Sequence, residues 1–307
     1  MIASSVKQDL LKAGLVPNSE KSVWTPSQRI DWLGLTWDTE RGLLKVIERR
    51  VNNTITCIDG LKGKLPYITA RQLAEFVGRI ISLIPVCGHV AQLRTRFSIM
   101  TICDHQTHWD KIFKVPGDSP IIEEMFFWRT NLRNMNNRYV FEYSLPQVLL
   151  YSDASHSGCG AWTRGQDDSI IMFNQSRSEQ EIGKSSTWRE LKGVDLALRA
   201  FVPRLQGKCV KVFSDNMGVA AVIKKGSMKL DLHTLSIDIA SFCREENIDL
   251  HVQWVPREEN TLADSLSREI DFDDWGVSQS FFNFMDSLWG PHSVDRFADN
   301  QNAVKIV

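Results

Sequence analysis

The sequence predicts an α/β fold for its second half, a mixed five-stranded sheet with helices, preceded by a mostly helical region that begins with a β-hairpin. Three observations carry this. Val148–Asp153, Gly158–Trp162 and Ser169–Phe173 are β-rich segments spaced closely enough to form a three-stranded meander. Beyond them, strand-length and helix-length segments alternate as far as Arg268, giving the order βββα, βα, α, βα in about 125 residues, an ordinary domain size. Before them, apolar residues recur at helical spacing, and the polar run Arg133–Arg138 separates the two regimes as a domain boundary.

In chain order, Ser4–Gly14 places Val6, Leu10 and Leu11 near helical spacing and ends on a glycine, which predicts a short amphipathic helix. Ser22–Trp24 and Ile30–Trp37 predict a hairpin joined through Thr25-Pro26-Ser27, because proline presets a turn. From Leu43 to about Met100 the pattern is helical, with Leu73, Phe76, Val77 and Ile80 on one face. Pro120–Leu132 predicts another helix. In the second half, helices are expected over Ser186–Phe201, Asn216–Lys225 and Leu230–Glu246, strands over Val210–Ser214 and Leu250–Val255, and a last helix after Asn260.

The chain has 307 residues, 43% hydrophobic and 24% charged, enough apolar sequence for more than one core and incompatible with disorder as the main state. No run reaches the ~18 apolar residues of a membrane span, and the first residues lack the apolar core of a signal peptide, so an intracellular protein, cytoplasmic or nuclear, without a membrane partner is expected. Cys57, Cys87, Cys103, Cys159, Cys209 and Cys243 form no Cys-x-x-Cys pair and are expected as reduced thiols. Cys103, His105 and His108 lack a fourth ligand and are read as ordinary surface or core residues, and His156 and His251 as loop and strand residues. Net charge is −1, but residues 41–150 hold 15 Lys and Arg against 9 Asp and Glu, a basic middle between acidic ends.

The sharpest chemical signal is the placement of four acids. Asp153 ends an apolar strand, where a lone carboxylate is expensive to desolvate without a cation or donors, and Asp215 follows the strand Val210–Ser214 in the same way. Glu190 lies on the apolar face of its helix, with Val194, Ala197 and Phe201 at +4, +7 and +11. Asp264 falls in the first turn of the last helix. Taken singly, each acid also fits a helix cap, a strand-end turn or a surface position. Taken together they repel unless divalent cations neutralise them, and oxygen-only ligation favours Mg2+ or Mn2+ over zinc. Two such ions about 4 Å apart clamp the attacking water and the leaving oxygen of a phosphodiester.

These residues resemble a ribonuclease H domain of retroelement type over about residues 145–270. The resemblance rests on Tyr151-Ser152-Asp153-Ala154-Ser155, Gly158-Cys159-Gly160-Ala161, Ser186–Leu191, Phe213-Ser214-Asp215-Asn216 and Val255-Pro256 through Asn260–Arg268. It implies a ribonuclease H-like mixed five-stranded sheet in which Asp153 bridges two Mg2+ ions, Glu190 and Asp215 serve one, and Asp264 the other. Ala263–Arg268 and the tail Trp289–Ala298 resemble polyproteins of DIRS-type, tyrosine-recombinase retrotransposons, and Ala13–Val16, Glu20–Ser22 and Asp31–Gly34 resemble the end of a reverse-transcriptase palm. The implied organisation is residues 1–50 as palm remnant with a primer-grip-like hairpin, 51–140 as helical thumb and connection, 145–270 as nuclease, and 271–307 as an acidic, aromatic tail.

The sequence departs from the family pattern twice. No Tyr-x-Asp-Asp precedes the palm remnant, and Phe272-Asp273-Asp274-Trp275 lies beyond the nuclease, so DNA polymerase activity is not expected of this chain. Arg257-Glu258-Glu259 also stands where many ribonucleases H carry a mobile histidine. The short connector Lys224–Lys229 leaves little room for the extra basic helix by which some stand-alone ribonucleases H grip their substrate, so the basic middle is expected to grip an RNA/DNA hybrid, in a salt-sensitive manner. Ser155 and Asn216 are placed for contacts to a 2′-hydroxyl or, equally, for turn and capping roles. The expected activity is Mg2+-dependent hydrolysis of the RNA strand of a hybrid, with other retroelement proteins as further partners. A catalytically inactive nucleic-acid-binding remnant, or a nuclease acting on DNA, are the alternatives.

Overall fold

The structure is a computed structural model that describes residues 2–140, 145–178, 181, 183–268 and 279–290. Phe272–Trp275 and the tail beyond Gly290 lie outside the described residues. Helix α1 (Ile2–Lys12) leads to a small antiparallel sheet of β1 (Arg29–Trp32), β2 (Leu35–Asp38) and β3 (Leu43–Val46). Then come α2 (Glu48–Lys62), β4 (Tyr67–Thr69), α3 (Ala70–Ile81), the short α4 (Ile84–Cys87) and α5 (Val90–Leu93), α6 (Arg96–Asp104), β5 (Ile112–Lys114) and α7 (Pro120–Asn131). Strand β6 (Arg138–Tyr139) returns to β3.

Two sequence-based expectations need correction here. The hairpin turns at Leu33-Gly34, with Trp32 facing Leu35, and Ser22–Trp24 is not a strand. Both turn residues have positive φ, 53° and 77°, the backbone that matches the twist of a two-residue hairpin, whereas a proline turn at Pro26 would have splayed the strands. Leu43–Val46 is a strand and not the start of a helix. The polar run that follows α7 is also put to use, since the Asn136 side chain accepts the Val46 N–H and donates to the Val46 carbonyl, at 2.7 and 2.9 Å.

The helical region packs α2, α3 and α7 around Val51, Ile58, Phe76, Met125 and Trp128. Helix α3 starts in a capping box, with Gln72 N–H donating to Thr69 Oγ1 and Thr69 N–H donating to the Gln72 side chain. Glu124, only 3% exposed, sits under the first turn of α6 and accepts the N–H groups of Phe97 and Ser98 and the Ser98 hydroxyl. Burial outweighs these bonds and pushes its carboxyl from an ordinary 4.5 up to about 7. An acid with a raised folded-state pKa contributes full stability below its unfolded value and loses it as pH rises through the folded one. Stability should therefore fall by roughly 3 kcal/mol between pH 4.5 and 7 through this group alone. Urea unfolding across that window should show this component in the parent chain and not in Glu124→Gln, and equal pH slopes would refute it.

The second half holds β7 (Val148–Ala154), β8 (Gly158–Arg164), β9 (Ile170–Ser176), α8 (Ser186–Ala200), the short α9 (Val202–Leu205), β10 (Cys209–Ser214), α10 (Met217–Lys225), α11 (Leu230–Glu245), β11 (Asp249–Trp254), a 3-10 turn at Arg257–Glu259 and α12 (Thr261–Arg268). Helix α13 (Gln279–Trp289) follows. The strands form one sheet in the order β11-β10-β7-β8-β9, with β7, β8 and β9 antiparallel and β10 parallel to both β7 and β11. This is the ribonuclease H-like mixed five-stranded sheet expected from the sequence. Helices α8 and α11 cover its core of Leu150, Val194, Leu198, Val210, Val212 and Ile239. Among the described residues no helix is long and apolar enough to cross a membrane.

Candidate metal centre

The parallel pairing of β7 with β10 brings their C-terminal ends side by side, so Asp153 and Asp215 leave the sheet at one place. Helix α8 lies across β7 and β8, and its buried face carries Glu190 toward the same point. Carboxylate oxygens of Asp153, Glu190 and Asp215 lie within 4.8 Å of one another. Octahedral Mg2+ with bonds of 2.0–2.1 Å needs oxygen separations of about 2.9 Å for adjacent and about 4.2 Å for opposite ligands, and no pair in this cluster is more than 4.8 Å apart.

The electrostatics show how uncomfortable the cluster is without a cation. Asp153 is 4% exposed, and burial raises its pKa; the Ser267 hydroxyl, donating to Oδ2 at 2.7 Å, opposes this, while the charges of Asp215 and Asp264 add to it. Glu190 is 8% exposed and pushed up to about 9, first by burial and then by Asp153 and Asp215. It accepts the Ala154 N–H, but its buried Oε2 has no hydrogen-bond partner among the described residues. A buried carboxylate oxygen without a donor, facing two other acids, fits a hard divalent cation.

Asp264 is arranged differently. Its Oδ1 accepts from Arg257 Nη2 and, at 2.8 Å, from Arg268 Nη2. Burial raises its pKa, but the two guanidiniums outweigh this and hold the carboxyl below its ordinary value. The structure thus brings three of the four expected acids together and gives the fourth to two arginines, although its charge still reaches Asp153.

No protein family matches the sequence, and no curated protein does. Among solved structures, the chain is similar to RNase H1 from the halophilic archaeon Halobacterium salinarum NRC-1, at 19% identity and a TM-score of 0.33 over 39% of this chain and 92% of that one. It is similar to LC11-RNase H1 in complex with an RNA/DNA hybrid, at 18% identity and a TM-score of 0.34, over 39% and 93%. A third is the foamy viral protease-reverse transcriptase in complex with an RNA/DNA hybrid, at 14% identity and a TM-score of 0.32, covering 91% of this chain and 36% of that polypeptide.

Ser155 and Asn216 each make local turn and cap bonds. The Ser155 hydroxyl donates to the Ser267 carbonyl and accepts the N–H groups of Ser157 and Gly158, and Asn216 Oδ1 accepts the Gly218 N–H as the cap of α10. Sequence reasoning missed four supports of the site. Ser267 holds Asp153; Asn260 donates to the Ser152 carbonyl at 3.0 Å; Trp254 Nε1 donates to the Asp215 carbonyl at 2.9 Å; Arg257 pairs with Asp264. The one available signal was the spacing of Ser267, one helical turn after Asp264.

The basic middle is largely spent on the protein itself. Arg71, Arg79, Arg129 and Arg133 pair with Asp110, Glu75, Asp59 and Glu48, and Arg50 donates to the carbonyls of Leu33, Gly34 and Ser82. Lys62, Lys64, Lys111 and Lys114 are exposed around the β4–β5 pair, beside the exposed Tyr67.

Proposed function

We propose that this chain is a divalent-metal-dependent endonuclease that hydrolyses the RNA strand of RNA/DNA hybrids, the ribonuclease H part of a DIRS-type retroelement reverse transcriptase. In this reading residues 1–50 are the palm remnant, 51–140 the thumb and connection, 145–270 the nuclease and 271–307 the tail. The observation that carries it is the convergence of Asp153, Glu190 and Asp215 from β7, α8 and β10, with one buried oxygen of Glu190 left without a donor. These three hold Mg2+ or Mn2+, and Asp264, now neutralised by Arg257 and Arg268, is the fourth acid. Two bound ions would supply the activated water and the stabilised leaving oxygen. Ser267 and Ala154 keep Asp153 and Glu190 aimed at that point, and Ser155 and Asn216, two residues after Asp153 and one after Asp215, contact the 2′-hydroxyl.

The test is incubation of the chain with labelled hybrid, double-stranded RNA and DNA, with and without Mg2+. The expected result is Mg2+-dependent cleavage of the RNA strand of the hybrid, leaving a 3′-hydroxyl and a 5′-phosphate. Cleavage of DNA alone would replace the substrate, and salt-sensitive binding without cleavage would leave a binding remnant. Hybrid affinity should fall steeply with salt, and Lys64→Ala with Lys114→Ala should lower it and flatten that slope. Deleting residues 1–140 is a poorer test, because Arg94 donates to Ser241 and Arg96 to the Lys225 carbonyl, and Phe97 packs on the fully buried His233.

A further inference from the structure

Strands β10 and β11 run parallel with Cys209 opposite Asp249 and Lys211 opposite His251. Side chains two apart on a strand share a face, so Asp249 and His251 project together, beside Cys209. Donor atoms of Cys209, Asp249 and His251 lie within 4.8 Å of one another. His251 Nε2 is 3.1 Å from Asp249 Oδ2, and the Cys209 thiol is hydrogen-bonded to Asp249. This group stands at the start of β10, and Cys209 lies about 20 Å along the strand from Asp215 and the acidic cluster.

We propose that Cys209, Asp249 and His251 bind one zinc ion at this end of the sheet, with water as the fourth ligand. Zinc bonds of about 2.0–2.1 Å to nitrogen and oxygen and about 2.3 Å to sulfur place tetrahedral donors roughly 3.3–3.7 Å apart. The His251–Asp249 separation of 3.1 Å is close to that range, and no pair of the three donors is more than 4.8 Å apart. The anchor is rigid, since Cys209 is buried and its N–H donates to Gln147 Oε1 at 3.0 Å while its carbonyl accepts the Gln147 N–H at 2.8 Å. The side chains of Asp249 and His251 are 57% and 55% exposed, so packing does not prevent their rotation onto an ion.

The donor set selects the metal. A thiolate and an imidazole beside one carboxylate suit zinc, whereas the acidic cluster offers only hard oxygens. Thiolate and carboxylate together balance Zn2+. Without metal, burial and then the Asp249 charge hold the thiol above its ordinary pKa; on binding, its proton leaves to solvent and the ion takes its place between sulfur and carboxylate. Neighbouring cations are engaged elsewhere, with Lys211 Nζ over the Phe213 ring and Lys208 Nζ donating to the Arg204 carbonyl. All three ligands border a cavity of about 1090 Å³, which gives an ion and its water a way in. The ion would clip β11, an edge strand of the described sheet, to β10, the strand that leads into Asp215.

Co2+ added to the reduced full chain is the probe. One equivalent should produce a thiolate-to-cobalt charge-transfer band that Zn2+ bleaches. Cys209→Ser should abolish the band and weaken Zn2+ binding, measured against a chromophoric chelator, by at least ~100-fold, at or above the top of the range for losing an outer-shell partner. Exposed His251→Ala should weaken it at least ~10-fold without unfolding the sheet. Cys103→Ser should leave the band unchanged, and so should Asp153→Asn, which separates this site from the proposed nuclease centre. Absence of the band, its survival in Cys209→Ser, or unchanged affinity in His251→Ala would overturn the proposal.

Discussion

Asp153→Asn and Asp215→Asn are each expected to abolish Mg2+-dependent hybrid cleavage, by at least ~10³-fold or about 4 kcal/mol in the barrier, while leaving metal-free thermal stability unchanged or higher. The two effects have one cause. Asp153 is buried beside Asp215 and Asp264, and those charges raise its pKa further after burial has done so; replacing either cluster aspartate with a neutral isostere relieves that repulsion. The same replacement removes an anionic oxygen from a set of three clustered acids that, among the described residues, carries a buried oxygen without a donor, so the ion loses its hold. Rate and melting temperature measured on the same preparations distinguish this from general damage. A mutant that is inactive but markedly less stable would indicate a structural carboxylate, and undiminished cleavage would dismiss the metal centre.

How much of this was legible in the sequence varies by element. The strands carrying Asp153 and Asp215 and the helix carrying Glu190 were readable because each is bounded by turn residues and keeps one periodicity throughout. The hairpin turn was misplaced because Leu33-Gly34 lacks the Asn-Gly or Asp-Gly signature of such turns, while Thr25-Pro26-Ser27 nearby has strong turn chemistry. Leu43–Val46 is four residues long, too short for a periodicity to show. Contacts across distant elements were invisible altogether. The pairing of Arg257 with Asp264 depends on the 3-10 turn between them, and the meeting of Cys209 with Asp249 and His251 depends on a parallel register set by a crossover through α10 and α11. His251, read from sequence as an ordinary strand residue, acquires its neighbours only from that register.

The second large effect is expected at Gly160, which faces Asp153 across the β7–β8 ladder. A Cβ there would lie 2.4 Å from the Ser267 nitrogen and 2.6 Å from both the Ala263 oxygen and the Leu266 carbonyl carbon. All three are backbone atoms of α12, so no side chain can swing aside; the helix itself must move. That helix carries Asp264 and also Ser267, whose hydroxyl holds Asp153. Gly160→Val should therefore destabilise the protein by about 3 kcal/mol, at or beyond the upper end for overpacking a core. Surviving folded protein should lose at least ~10²-fold in cleavage, the cost of displacing a catalytic group by about 1 Å. Gly78→Ala provides the contrast, since Gly78 lies in α3 with nothing within 4 Å of the added carbon, and the change should stabilise by ~0.5–1 kcal/mol with cleavage unaltered. Urea unfolding and hybrid cleavage on both variants decide the matter. If Gly160→Val matches the parent in both, α12 does not rest on the β8 backbone and the placement of Asp264 and Ser267 beside Asp153 is wrong.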